Sequence, residues 1–223
     1  MRSSEKNPGP TKKNATGRWM TGALLSFPLG IVAARKMRNL AMSWGSTPAE
    51  LEADLPGDDL VDPVDRAATR SITIDASEAQ VWPWLVQLGQ GRGGFYSYDV
   101  LENLIGLDIH SADRIEERWQ GLAPGDKVSL AEGMELEVAI LEPRRALVLQ
   151  GGELPDEAPA PDFDFSWAFV VRALPDGRTR LIVRERYAWK SMAAVPVVSI
   201  AMWMSALMTR RMLMGIKERA ERR

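Results

Sequence analysis

The chain of 223 residues contains no cysteine. Disulfides, thiolate nucleophiles and sulfur-ligated zinc sites are therefore excluded. A single histidine, His110, rules out poly-histidine metal centres and paired-imidazole chemistry. Charge of one sign is not in excess either: the formal net charge is -2, which gives no general footing for nucleic acid. Any chemistry must rest on carboxylates, tyrosine, serine, lysine, arginine or the one imidazole. No cofactor is expected. What is plentiful is apolar surface, 45% of residues, with eight tryptophans.

Residues 1–17 are polar, basic and rich in Ser, Asn, Gly and Pro, and read as a disordered tail. Residues 18–43 read as an anchor-like helix. Within it, 19–34 carry no charge and have basic flanks, Arg18 before and Arg35, Lys36 and Arg38 after. The run is short for a bilayer span and is interrupted by Pro28 and Gly30. A membrane-associated segment, a cleaved signal and a segment packed on the protein's own surface all remain open. The expected location is cytoplasmic, with membrane contact through 19–34 as one of these readings. Residues 44–66 hold seven acids and three prolines and read as an extended linker into a domain over 67–223.

In that domain TRSITID alternates like a strand, with Ile72 and Ile74 on one face. Ser77 and Gln80 stand at capping-box spacing before a helix that places Val81, Trp84, Leu85 and Leu88 together. A second short helix is expected from Asp99, with Glu102 at capping-box distance and a stop at Gly106. Strand-and-turn patterns then run to residue 190, including a PDG hairpin turn, and the last 30 residues are helical. The order of elements predicts an α+β domain with helices laid on one antiparallel sheet.

Gly89, Gly91 and Gly94 fit G-x-G-x-x-G. That motif binds a dinucleotide only where it follows a strand and opens a helix. Here it follows a helix and runs into Phe95, Tyr96 and Tyr98. A helix end needing left-handed glycines is the plainer reading; a ligand portal flanked by Arg92 and Tyr96 is the alternative.

The segment TRSITIDASEAQVWPWLVQLGQGRGGFYSYDVLENLIGLDIHSADRI, with LEPRRALVL, SWAFV, TRLIVRERY and RRMLMGIKERAE further on, resembles a bacterial subgroup of the SRPBCC superfamily over roughly residues 44–221. That superfamily includes START-type lipid-transfer domains, birch-pollen-allergen-like proteins and polyketide cyclases. The resemblance implies a helix-grip fold, in which a curved antiparallel sheet wraps a long C-terminal helix around an apolar cavity. It implies a hydrophobic small molecule or lipid as partner rather than one reaction.

Alternation places Phe163, Phe165, Trp167, Phe169 and Val171 on one face of a strand, and Leu181, Val183, Tyr187 and Trp189 on one face of the next. Arg180, Arg184, Arg186 and Lys190 fall opposite and predict a basic outer surface. Glu185 breaks the apolar face. It reads either as a carboxylate turned outward or paired for structure, or as a polar anchor or acid/base group in a greasy cavity. His110 is expected to hydrogen-bond Asp108 or Asp113. Residues 192–208 carry no charge on any face and read as buried or lipid-facing.

The expected ligand-binding residues are Trp167, Phe169, Glu185 and Tyr187 from the sheet, Trp203 and Leu207 from the last helix, and Arg92 and Tyr96 at the mouth. The leading function is a carrier or sensor that binds a hydrophobic molecule in the cavity. An enzyme of polyketide cyclase or dehydratase type, and a membrane-linked interaction module with a filled core, stay open as alternatives.

Overall fold

The computed structural model describes residues 36, 37, 39–104, 106–151 and 162–222. The chain divides into two compact units, Met1–Asn39 and Leu40–Arg223. In the first, the described residues 36, 37 and 39 are helical. The tail, the apolar run 19–34 and most of the proline-rich loop after Gly151 lie outside the described residues.

The second unit is built on a six-stranded antiparallel sheet in the order β1-β6-β5-β4-β3-β2. The strands are β1 Arg66–Ile74, β2 Lys127–Ala131, β3 Met134–Glu142, β4 Ala146–Gly151, β5 Phe163–Ala173 and β6 Thr179–Trp189. The strands β2 to β6 follow one another as sequential neighbours. β1 closes the sheet on the far side by pairing with β6, so the first strand sits beside the last. Register shifts in β2 between Ser129 and Ala131, against β3, and in β3 between Val138 and Ile140, against β4, bend the sheet at that end.

Between β1 and β2 the chain forms α2 (Glu78–Val86) and α3 (Asp99–Leu104); α1 (Pro48–Glu52) precedes β1, and α4 (Ala194–Ala220) ends the fold. The Ser77–Gln80 capping box is present, with the Ser77 amide donating to Gln80 Oε1 at 3.0 Å. Val81, Trp84 and Leu85 face the core as the 3.6-residue period requires. In α3 the expected capping box does not form. Asp99 instead accepts from the Ser111 amide at 2.7 Å and hydroxyl at 2.6 Å, and Glu102 turns inward.

The acidic stretch expected as an extended linker is packed structure. Thr47 caps α1, and Glu50 and Asp58 reach the outer face of β6. Arg180 Nε meets Glu50 Oε1 at 2.7 Å. Arg184 donates to the Thr69 hydroxyl, the Ala53 and Glu50 carbonyls and Asp58, while Arg186 lies 3.4 Å from Asp58. Three arginines on one face of β6, interrupted by Ile182, thus present a charged stripe, and the acidic segment covers it. The predicted basic outer surface is largely buried for that reason: Arg184 is 4% exposed.

On the inner face, α4 crosses the sheet. Its C-terminal half puts Met212, Leu213 and Ile216 into the main core beside Val81, Leu85 and Phe169. Its N-terminal half packs through Ala194, Val198 and Met202 against Ala68 and Tyr187. Val197, Ile200, Trp203 and Leu207 there are exposed. The uncharged stretch 192–208 is therefore buried on one side only. Among the described residues no helix is long and apolar enough to cross a membrane.

The glycine loop ends α2. Gly89, Gly91 and Gly94 all have positive φ, and Gly89 pairs with Gly94 across a tight turn. The loop then seats Tyr96 against α4 at Gly215, where an added Cβ would stand 2.2 Å from the Tyr96 carbonyl oxygen. No helix begins on the glycines, so no amides converge on a phosphate.

Candidate functional site

A cavity of about 550 Å³ lies between the inner face of the sheet and the middle of α4. Its walls are Phe163, Phe165 and Trp167 of β5, Leu136 of β3, and Met204, Met208 and Met212 of α4. Met134, Val197 and Met204 both line it and reach solvent, which marks the mouth. The surface is nearly all apolar, and the volume falls in the range of small-molecule sites.

One polar cluster interrupts the wall. The Glu185 carboxylate, 1% exposed, is met by Arg70, whose side chain is wholly buried; Nη1 stands 2.9 Å from Oε1. The same oxygen accepts from Ser205 and, at 3.0 Å, from Thr209, both on α4. The other oxygen accepts from the Tyr187 hydroxyl at 3.2 Å. Glu185, Tyr187, Ser205 and Thr209 line the cavity. Arg70 sits behind them, its Nε donating to the Ala41 carbonyl at 3.0 Å and its Nη2 reaching Met42 Sδ. Burial, and then the neighbouring Glu185 charge, push the Tyr187 hydroxyl well above the usual phenol range. It therefore stays protonated and acts as a donor.

The register explains the pair. Ala68 lies opposite Glu185, so Arg70, two residues along β1, shares its face and sits on the diagonal. Arg70 is the residue that the sequence reading missed. Its signal was present: in TRSITID, Arg70 falls on the Ile72 and Ile74 face, a cation placed on the buried side of a strand.

Of the eight residues named from sequence, Trp167, Glu185 and Tyr187 line the cavity. Phe169 lies one layer behind, fully buried, its ring 4.7 Å from that of Trp167. Trp203 and Leu207 neighbour lining residues on α4 but are 46% and 52% exposed, outside the cavity wall. Arg92 turns inward and donates to the Val86 and Trp119 carbonyls, both at 2.9 Å, which closes the end of α2. Tyr96 is buried and donates to the Trp84 carbonyl at 3.1 Å, with the Arg219 guanidinium over its ring. Neither Arg92 nor Tyr96 lines the cavity. His110 stands on the surface, 3.1 Å from Asp108. Among the described residues no cluster of His, Asp and Glu could hold a metal ion.

No family model matches the chain, and no curated protein matches it. Several solved structures do. A protein from Nitrosospira multiformis aligns at 12% identity and TM-score 0.44, covering 69% of this chain and 94% of its own. Norcoclaurine synthase from Thalictrum flavum aligns at 11% and 0.42, covering 69% and 84%. A polyketide-cyclase-like protein from Corynebacterium glutamicum aligns at 14% and 0.40, covering 68% and 88%. By its own topology, six antiparallel strands with a long C-terminal helix laid on their inner face, the chain has the helix-grip arrangement that the sequence resemblance implies.

Proposed function

We propose that the protein binds a hydrophobic small molecule or lipid in this cavity, as a carrier or sensor. The observation that carries the reading is an apolar chamber of about 550 Å³ with a buried carboxylate, hydrogen-bonded at both oxygens, in its wall. Apolar walls supply the driving force by releasing water, and a single polar group sets orientation.

A binding role fits Glu185 better than proton transfer does. Its carboxylate oxygens accept from Arg70 and from three hydroxyls, contacts that fix it in place within the wall. Tyr187 is held protonated, and His110 lies on the surface away from the cavity lining. Glu185 and Tyr187 are thus committed to the cluster, and the one imidazole stands outside the cavity lining.

The test is native mass spectrometry of protein purified from its own host, with organic extraction of what dissociates. A discrete apolar mass is expected. Ala201 lines the cavity, and Ala201→Phe places a ring in the chamber. This variant should lose the bound mass while keeping a cooperative melt. Loss of neither mass nor dye uptake in that variant would place binding elsewhere; a clean apo mass with no uptake of apolar probes would overturn the reading.

A further inference from the structure

We propose that the cavity takes a hydrophobe with a cationic end, an amphiphile whose apolar body fills the chamber and whose ammonium group sits at the mouth against Glu135. This rests on the reading of the cavity as a ligand site and names the class of molecule which that site accepts.

Ligand choice is set by the charges that a bound molecule can reach. Among the described residues that line the cavity there are two carboxylic side chains, Glu135 and Glu185, and no lysine, arginine or histidine. Glu185 is enclosed, and Arg70 balances its charge. Glu135 is different. Its side chain is 39% exposed, so it meets both the chamber and the solvent. Its partners are loosely held. Lys127 Nζ stands 3.6 Å from one carboxylate oxygen, beyond hydrogen-bond range, and the Ser129 hydroxyl 3.4 Å from the other. Lone pairs on both oxygens are left for an incoming donor.

The hairpin of β2 and β3 puts Glu135 there. Leu136 and Val138 are buried, so strict alternation along β3 would turn Glu135 to the outer face. The register shift between Ser129 and Ala131 lies directly opposite it. A shift of this kind bends the strand and re-aims side chains. Glu135 thereby reaches the rim of the chamber beside Met134, which also lines it and is exposed. Lys127 does not line the cavity, and in register it stands opposite Glu137, so one lysine serves two carboxylates on that face.

An ammonium at such a rim keeps much of its water while its chain is buried, as a lysine side chain does across an apolar surface. It gains the attraction of Glu135 without the cost of full burial. A carboxylate in the same position meets like charge first. A neutral head group meets neither effect.

The experiment uses the full chain and displacement of the neutral fluorophore N-phenyl-1-naphthylamine at about pH 8, where an alkylamine is protonated and a carboxylic acid is ionised. Competitors are dodecylamine, 1-dodecanol and dodecanoate, which share one chain length, all below their aggregation limits. Dodecylamine should displace the dye at about three- to fivefold lower concentration than dodecanol, with dodecanoate the weakest of the three. Displacement by the alcohol that equals or betters that by the amine, or better displacement by dodecanoate, overturns the inference while leaving the cavity reading standing. Absence of dye uptake overturns both.

Two variants tie the preference to the rim, each measured against its own dye affinity. Glu135→Gln removes the charge and keeps the shape, and should bring the amine and the alcohol within about twofold of each other. Glu135→Lys should invert the order and put dodecanoate ahead of the amine. An advantage of the amine that is kept in either variant is incompatible with Glu135 as the anchor.

Discussion

Arg70 of β1 and Glu185 of β6 meet at 2.9 Å with neither side chain reaching solvent, 115 residues apart in the chain. Removing one member of such a pair leaves the other charge buried without its partner, which costs about 3–5 kcal/mol. Replacing both with apolar groups of similar volume is often neutral. We therefore expect Arg70→Met and Glu185→Leu each to lower unfolding stability by several kcal/mol, and the double variant to recover most of that loss. Urea denaturation of the three variants checks this; a double variant as unstable as the sum of the singles would show that the two residues are not coupled.

The acidic segment before β1 is tied to the sheet by charge. The Arg180 guanidinium beside Glu50 holds its carboxyl down at about 2, with the Thr47 contacts adding to the effect against the opposing cost of burial. Because this pKa is depressed on folding, its stabilisation is complete above the ordinary glutamate range. It is lost as pH falls from about 4.5 toward 2. Glu50→Gln should cost about 2 kcal/mol at neutral pH, and the gap from wild type should close in acid. A pH-independent difference in urea midpoint would show that the ion pair is not its source. Amide exchange over residues 47–61 should quicken in the same variant, since Arg180 and Arg184 anchor that segment.

The sheet and the last helix were legible because alternation and a 3.6-residue period survive averaging over a dozen residues, as in Phe163–Val171 and Met212–Ala220. Glu185 stood out as a charge on an apolar strand face. Its partner was harder to find. Ile72 and Ile74 dominated the pattern of β1, and only the pairing of first strand with last brings Arg70 into reach. The acidic run misled because composition alone cannot distinguish a solvated linker from a segment that neutralises arginines supplied more than 100 residues later. Arg92 and Tyr96 looked like a polar portal; the Arg92 Nη2 and the Tyr96 hydroxyl instead donate to carbonyls around the end of α2, which depends on loop closure rather than on local spacing.

Helix α3 is inverted relative to an ordinary surface helix. Val100 and Leu104 are 83% and 81% exposed, while Glu102 is buried with no hydrogen bond to either carboxyl oxygen. The neighbouring Ser97 hydroxyl donates to Met208 instead. Burial, and then the Asp99 charge, raise the Glu102 pKa. A carboxyl whose pKa rises on folding binds its proton more tightly in the native state. It therefore destabilises above that raised value, and the cost fades as pH falls to the unfolded value. Glu102→Gln should raise stability by about 1 kcal/mol near neutral pH and give little gain near pH 4. Thermal melts at the two pH values decide this. A variant that is destabilised at both would mean the carboxylate has a partner that the fold requires.

Gly215 in α4 is where the glycine–aromatic loop closes on the gripped helix. Tyr96, itself at positive φ of 55°, lies so near that a Cβ on Gly215 would stand 2.2 Å from its carbonyl oxygen and 2.8 Å from its Cβ. The obstacle is backbone rather than a flexible side-chain tip, so the loop or the helix must move. Tyr96 is fixed on its other sides by the Ser111 hydroxyl at its amide, the Trp84 carbonyl at its own hydroxyl, and Arg219 above its ring. Within helices, alanine is otherwise favoured over glycine by up to about 1 kcal/mol. Gly215→Ala therefore sets propensity against overpacking, and overpacking of this kind costs about 1–3 kcal/mol. We expect a net loss of about 1–2 kcal/mol, with faster amide exchange at residues 93–97. Because Phe95 and Ser97 flank Tyr96 in the cavity wall, apolar dye uptake should weaken in the same variant. A stabilised Gly215→Ala protein with unchanged dye binding would mean that the loop does not rest on the helix as the fold describes.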